Sequence, residues 1–131
     1  MKPRVLVVED QIAVMEQICD FLEWIGLDVV GKAKNGKEAV DLYERANQEL
    51  VTLDLKMPLM DGAEATREII ANDDGARILV FTSLDIDGTT PDENGLLDKA
   101  LGAGAIGAVS KFSKAGIAKK LEELFPGEVD L

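Results

Sequence analysis

The chain has 131 residues, 47% of them hydrophobic, with 14 basic against 25 acidic side chains, a net charge of −11. That length supports one domain with one core, and the acidic field opposes nucleic-acid binding by this chain alone. With no histidine and a single cysteine, imidazole-dependent catalysis, disulfides and cysteine zinc cages are all excluded. No apolar run reaches the roughly 18 residues of a membrane span, and no signal-peptide pattern follows Met1. The expectation is a cytoplasmic domain with no membrane contact, its acidity reflecting solubility or a salt-loving source.

Val5–Val8 is an apolar run that ends on Glu9-Asp10 and reads as the first strand. From Gln11 to Ile25, apolar residues at Ile12, Met15, Ile18, Cys19, Leu22 and Ile25 follow helical spacing, and Gly26 suits the position just past a helix. Cys19 lies on that apolar stripe, so packing is its expected role. Trp24 falls near the opposite side, as an isolated surface aromatic. Asp28–Ala33 reads as the second strand, Asn35-Gly36 as a turn, and Lys37–Ala46 as a short helix.

Leu50–Leu53 is a third strand, short and β-branched at its centre, and it stops on Asp54. Pro58 forbids a continuing central strand, and Asp61-Gly62 marks a turn. Ala63–Ala71 follows as a helix and Arg77–Thr82 as the fourth strand. Leu84 to Thr89 reads as an acidic loop. Thr90-Pro91-Asp92-Glu93 has the capping-box pattern with proline at the first helical position, predicting a helix from Pro91 to Leu101 that Gly95 weakens. Ala105–Ser110 is the fifth strand, followed by Lys111, and Ser113 can cap a last helix through Phe125. The expected division is a domain over 1–126 and a tail over 127–131.

Short buried strands alternating with amphipathic helices imply a parallel sheet covered on both faces. Right-handed crossovers then bring every strand's C-terminal end to one edge. Glu9, Asp10, Asp54, Thr82 and Lys111 all stand there. Like charges about 4 Å apart repel by roughly 4 kcal/mol at an effective dielectric of 20, so three carboxylates call for a cation. Magnesium suits an all-oxygen site, whereas zinc and copper prefer nitrogen and sulfur ligands that this chain lacks. Asp54 would be the nucleophile for a phosphoryl group, the metal and Lys111 would neutralise its oxygens, and Thr82 would donate to one of them.

The acidic pair Glu9-Asp10, the run from Asp54 to Gly62, Thr82 followed by small Ser83, and Lys111 resemble the receiver domain of two-component response regulators, the CheY-like family, over almost the full length. That resemblance implies a doubly wound, flavodoxin-like α/β three-layer sandwich with a five-stranded parallel sheet in order 2-1-3-4-5. It also implies phosphorylation of Asp54 by a sensor histidine kinase or phosphotransfer protein, and magnesium held by Asp10, Asp54 and the Lys56 carbonyl, with Glu9 acting through water. The expected role is a signalling domain for an output protein the sequence does not name, with only magnesium-dependent self-phosphorylation and autodephosphorylation as chemistry. The alternative is a phosphorylation-independent docking module of the same fold. Aspartate-nucleophile phosphatases want a second acid two residues after the nucleophile, where this chain has Lys56.

Three features depart from the family pattern. Phe112 replaces the usual proline after the lysine, which predicts a trans Lys111–Phe112 bond. Ala108 stands where an aromatic often reorients on activation. The segment Asp85–Asn94 is longer than usual, and its acidic residues make it a candidate for the element that moves when negative charge is added to Asp54.

Overall fold

The computed structural model describes residues 2–83 and 91–130. Leu84 to Thr90, which include most of the long acidic segment and the expected capping threonine, lie outside the described residues. Five strands, β1 (Arg4–Val8), β2 (Asp28–Ala33), β3 (Leu50–Leu53), β4 (Ile78–Thr82) and β5 (Gly107–Ser110), form one sheet in the order β2-β1-β3-β4-β5. Every pairing is parallel. The helices are α1 (Ile12–Trp24), α2 (Gly36–Tyr43), α3 (Gly62–Asn72), α4 (Leu96–Ala103) and α5 (Lys114–Leu124).

Alternation along the strands sends successive side chains to opposite faces. Val5, Val7, Leu50, Leu79, Phe81 and Val109 pack with Met15, Ile18 and Leu22 of α1 and Ile117 and Leu121 of α5. Leu6, Val8, Val51, Leu53 and Ile78 face the other way, onto Ala39 of α2 and Ile69 of α3, while Val80 meets Ala100 of α4. The central strands are therefore buried on both sides, which is why they read as unbroken apolar runs. Cys19 is buried in the α1 core, where its thiol donates to Met15 Sδ at 3.7 Å, and burial raises its pKa. Trp24, by contrast, is 78% exposed at the far end of α1.

Local signals account for the helix starts. Asn35 Oδ1 accepts from the Glu38 N–H at 2.8 Å, Asp61 Oδ1 from Glu64 at 2.9 Å, and Ser113 Oγ from Gly116 at 3.1 Å. Each satisfies an otherwise orphaned first-turn donor. Gly26, with φ +101°, ends α1 in the left-handed region as its position suggests.

Two elements differ from expectation. Helix α4 begins at Leu96 rather than Pro91, because Asn94 and Gly95, within the single 3₁₀ turn Glu93–Gly95, both take left-handed backbone (φ 62° and 65°). Residues 127–130, expected as a tail, lie against the body. Val129 is buried beside the α1 core, and the Asp130 N–H donates to the Ile25 carbonyl at 2.7 Å. All described peptide bonds are trans, Lys111–Phe112 included.

Candidate acceptor site

The parallel ladder continues one residue past the strand ends and fixes the backbone of the polar rim. The Glu9 N–H donates to Ala33 O at 3.0 Å, Asp54 to Val8 O at 3.2 Å, and Lys111 to Thr82 O at 2.9 Å. Strand pairing, rather than the loops, sets where these side chains begin. The β3–α3 turn is packed onto the acceptor strand: a Cβ on Gly62 would stand 2.3 Å from the Asp54 carbonyl oxygen. Only glycine allows that approach.

Lys111 Nζ bridges two carboxylates, lying 3.0 Å from Glu9 Oε1 and 3.1 Å from Asp54 Oδ2. The other Asp54 oxygen, Oδ1, accepts from the Leu55 N–H at 2.8 Å, and Glu9 Oε2 accepts from the Gln11 N–H at 3.0 Å. Both acids are buried, Glu9 at 1% exposure and Asp54 at 7%. Burial raises the pKa of Glu9, and the nearby Asp54 charge adds to this, against the pull of the Gln11 N–H and Lys111. Burial alone would lower the Lys111 pKa, but the hydrogen bonds and charges of Glu9 and Asp54 outweigh it and hold the ammonium above its ordinary value.

One carboxylate oxygen from each of Glu9, Asp10 and Asp54 can be chosen so that all lie within 4.8 Å of one another. Lys111 pairs with Glu9 and Asp54 of these three carboxylates. The set is all oxygen and hard, which suits a hard divalent cation. With Oε1 and Oε2 both engaged and almost no exposure, Glu9 acts from behind. Asp10 and Asp54 instead line an open cleft of about 370 Å³ that also touches Lys56, Thr82, Ser83 and Lys111.

The structure therefore brings Glu9, Asp10, Asp54 and Lys111 together and places Thr82 and Lys56 on the same cleft. Cys19 and Trp24 are elsewhere. Asp92, which the sequence places both in a capping pattern and among the acidic residues of the long segment expected to respond to charge on Asp54, also lines the cleft. Phe112, 65% exposed, forms part of its rim.

Comparison with known proteins agrees with this geometry. The response regulator receiver domain profile matches residues 5–122. The chemotaxis protein CheY of Halobacterium salinarum is 33% identical over 125 residues, covering 95% of this chain and 98% of that one. A protein-glutamate methylesterase/protein-glutamine glutaminase of the same organism is 40% identical over 111 residues; the match covers 85% of this chain but 29% of that protein. Among solved structures, a chain of the CheX–CheY–BeF3–Mg complex from Borrelia burgdorferi superposes with a TM-score of 0.81 at 27% identity, over 94% of this chain and 89% of that one. With sheet order, acidic cluster and profile in agreement, this chain belongs to the response regulator receiver domain family, a signalling module of the CheY-like kind.

Proposed function

We propose that the domain accepts a phosphoryl group on Asp54 from a sensor histidine kinase or phosphotransfer protein, with magnesium bound, and that the modification switches an output partner. The observation that carries this reading is the Asp54 carboxylate itself. It is held at both oxygens, by Leu55 N–H and Lys111 Nζ, yet it borders an open cleft. A purely structural buried acid would have no need of the opening.

Asp10, Asp54 and the Lys56 carbonyl would hold the metal, which supplies charge neutralisation to the phosphoryl oxygens. An Asp54 oxygen attacks phosphorus, the bond to the donor's nitrogen or acyl oxygen breaks, and its electron pair leaves with the donor. Lys111, already 3.1 Å from Asp54, stabilises the negative charge carried by the transferred group. Thr82 lies on the cleft to donate its hydroxyl to one phosphoryl oxygen. Glu9 keeps Lys111 anchored behind the acceptor throughout. Phosphorylation turns a monoanion into a group of roughly −2 charge with three acceptors, and conformers that accommodate it gain population.

The test is incubation with acetyl phosphate and magnesium followed by intact mass. One added phosphoryl group is expected, and none on Asp54→Asn. An unmodified wild-type mass, or modification that persists in Asp54→Asn, would remove the proposal.

A further inference from the structure

Asp92 has two commitments. It lines the acceptor cleft, and its carboxylate also accepts from α4, Oδ1 from the Leu97 N–H at 3.0 Å and Oδ2 from the Asp98 N–H at 3.3 Å. The residue in the N-cap position is Gly95, which has no side chain to offer. The two first-turn donors that a cap residue ordinarily satisfies are therefore served from outside the helix. The Gly95 N–H closes the intervening turn on the Asp92 carbonyl at 3.0 Å. Order at the start of α4 thus depends on a carboxylate whose residue lines the same cleft as the acceptor Asp54.

We propose that Asp92 is a positioning residue that couples the cleft to α4: its negative charge opposes an anionic group on Asp54, and yielding to that group weakens the first turn of the helix. The inference rests on the reading of Asp54 as a phosphoryl acceptor. The relevant reference is the magnesium-loaded protein, because a divalent cation acts on Asp92 with the opposite sign. Across a cleft of this size, partly screened repulsion between two single charges corresponds to about two- to five-fold in anion affinity. Linkage makes the effect reciprocal. Whatever holds the Leu96 end of α4 in place raises the free energy of the modified state, and whatever draws it away lowers it.

The experiment uses the full chain at saturating magnesium, titrated with beryllofluoride, an anionic mimic of the aspartyl phosphate. Bound fluorine is followed by ¹⁹F NMR, and hydrogen exchange is read at the Leu97 and Asp98 amides. Asp92→Asn loses the charge and keeps one of the two acceptor oxygens for the helix; Asp92→Ser loses the charge and, with its shorter reach, the cap as well. Both are expected to bind beryllofluoride about two- to five-fold more tightly. In wild type, beryllofluoride should lower protection at Leu97 and Asp98, and in the neutral variants this response should vanish. Bound fluorine with equal affinities in all three proteins, or wild-type protection that does not respond, overturns the coupling alone. No bound fluorine signal in wild type removes the acceptor reading, and the coupling with it.

Discussion

Replacing Lys111 with Met tests how the acidic site is held together. The ammonium is nearly inaccessible, with side-chain exposure of 6%, and its partners Glu9 and Asp54 are at 0% and 10%. Met conserves most of the stem, so packing changes little, but two buried carboxylates lose their counter-charge. Breaking a buried pair from one side costs about 3–5 kcal/mol, because the remaining charge is stranded. Unfolding entropy near 2.1 cal/mol/K per residue converts that into a fall in Tm of roughly 10–18 °C for a chain of this length. Urea denaturation and calorimetry in metal-free buffer read it directly. The double variant Glu9→Gln/Lys111→Met, with the more deeply buried charge also gone, should recover at least half of the loss, giving a non-additive cycle. A Lys111→Met loss below about 1 kcal/mol, or no recovery in the double variant, would show that the ammonium does not hold the buried acids.

Asp10→Asn, which relieves repulsion within the cluster, should raise metal-free stability and remove most of the stabilisation that magnesium gives, read as Tm against magnesium concentration. Gly62→Ala should cost more than about 2 kcal/mol, since its Cβ would meet the Asp54 carbonyl oxygen at 2.3 Å and backbone must shift; urea midpoints give the value. The pKa of Lys111 is raised above its ordinary 10.5, so its contribution is complete below that value and is lost only as pH rises through the higher, folded one. The stability difference between wild type and Lys111→Met should therefore persist past pH 10.5 in denaturation series at alkaline pH.

The strands and the acidic rim were legible because their signals are local and mutually consistent. A buried central strand must be apolar on both faces, so Leu50–Leu53 and Ile78–Thr82 announce themselves, and the polar residues Asp54 and Thr82 at the ends of these runs mark the sheet edge. The cap at Ser113 follows the same logic, while Asn35 and Asp61, read as turn residues, prove to cap the helices that those turns begin. The start of α4 did not. Thr90-Pro91-Asp92-Glu93 has a capping pattern, but left-handed Asn94 and Gly95 displace the helix, and Asp92 reaches its N–H donors five and six residues on. Cap rules span three residues and are blind to that distance. The packing of Val129 was not legible either. An isolated valine beyond Pro126-Gly127 carries no periodicity, and its burial depends on the tail folding back to Ile25. The cleft position of Asp92 is likewise a product of tertiary packing that no spacing encodes.

The contact between Gly62 and the Asp54 carbonyl has a mechanical consequence. The Gly62 N–H also donates to Leu55 O at 2.8 Å, its carbonyl receives Thr66 Oγ1 at 2.8 Å, and the neighbouring Met60 carbonyl accepts from the Gly36 N–H at 3.0 Å. The acceptor strand, the turn after it and the first turn of α3 are clamped into one stiff block, braced by the start of α2. At the origin of α4, among the described residues, the ties are the Asp92 carboxylate on two amides and the Gly95 N–H on the Asp92 carbonyl. A group added to Asp54 would therefore press on a well-braced flank at α3 and on a less braced one at α4. Under the proposed modification of Asp54, the expected direction of the response is away from the braced α3 flank and towards α4.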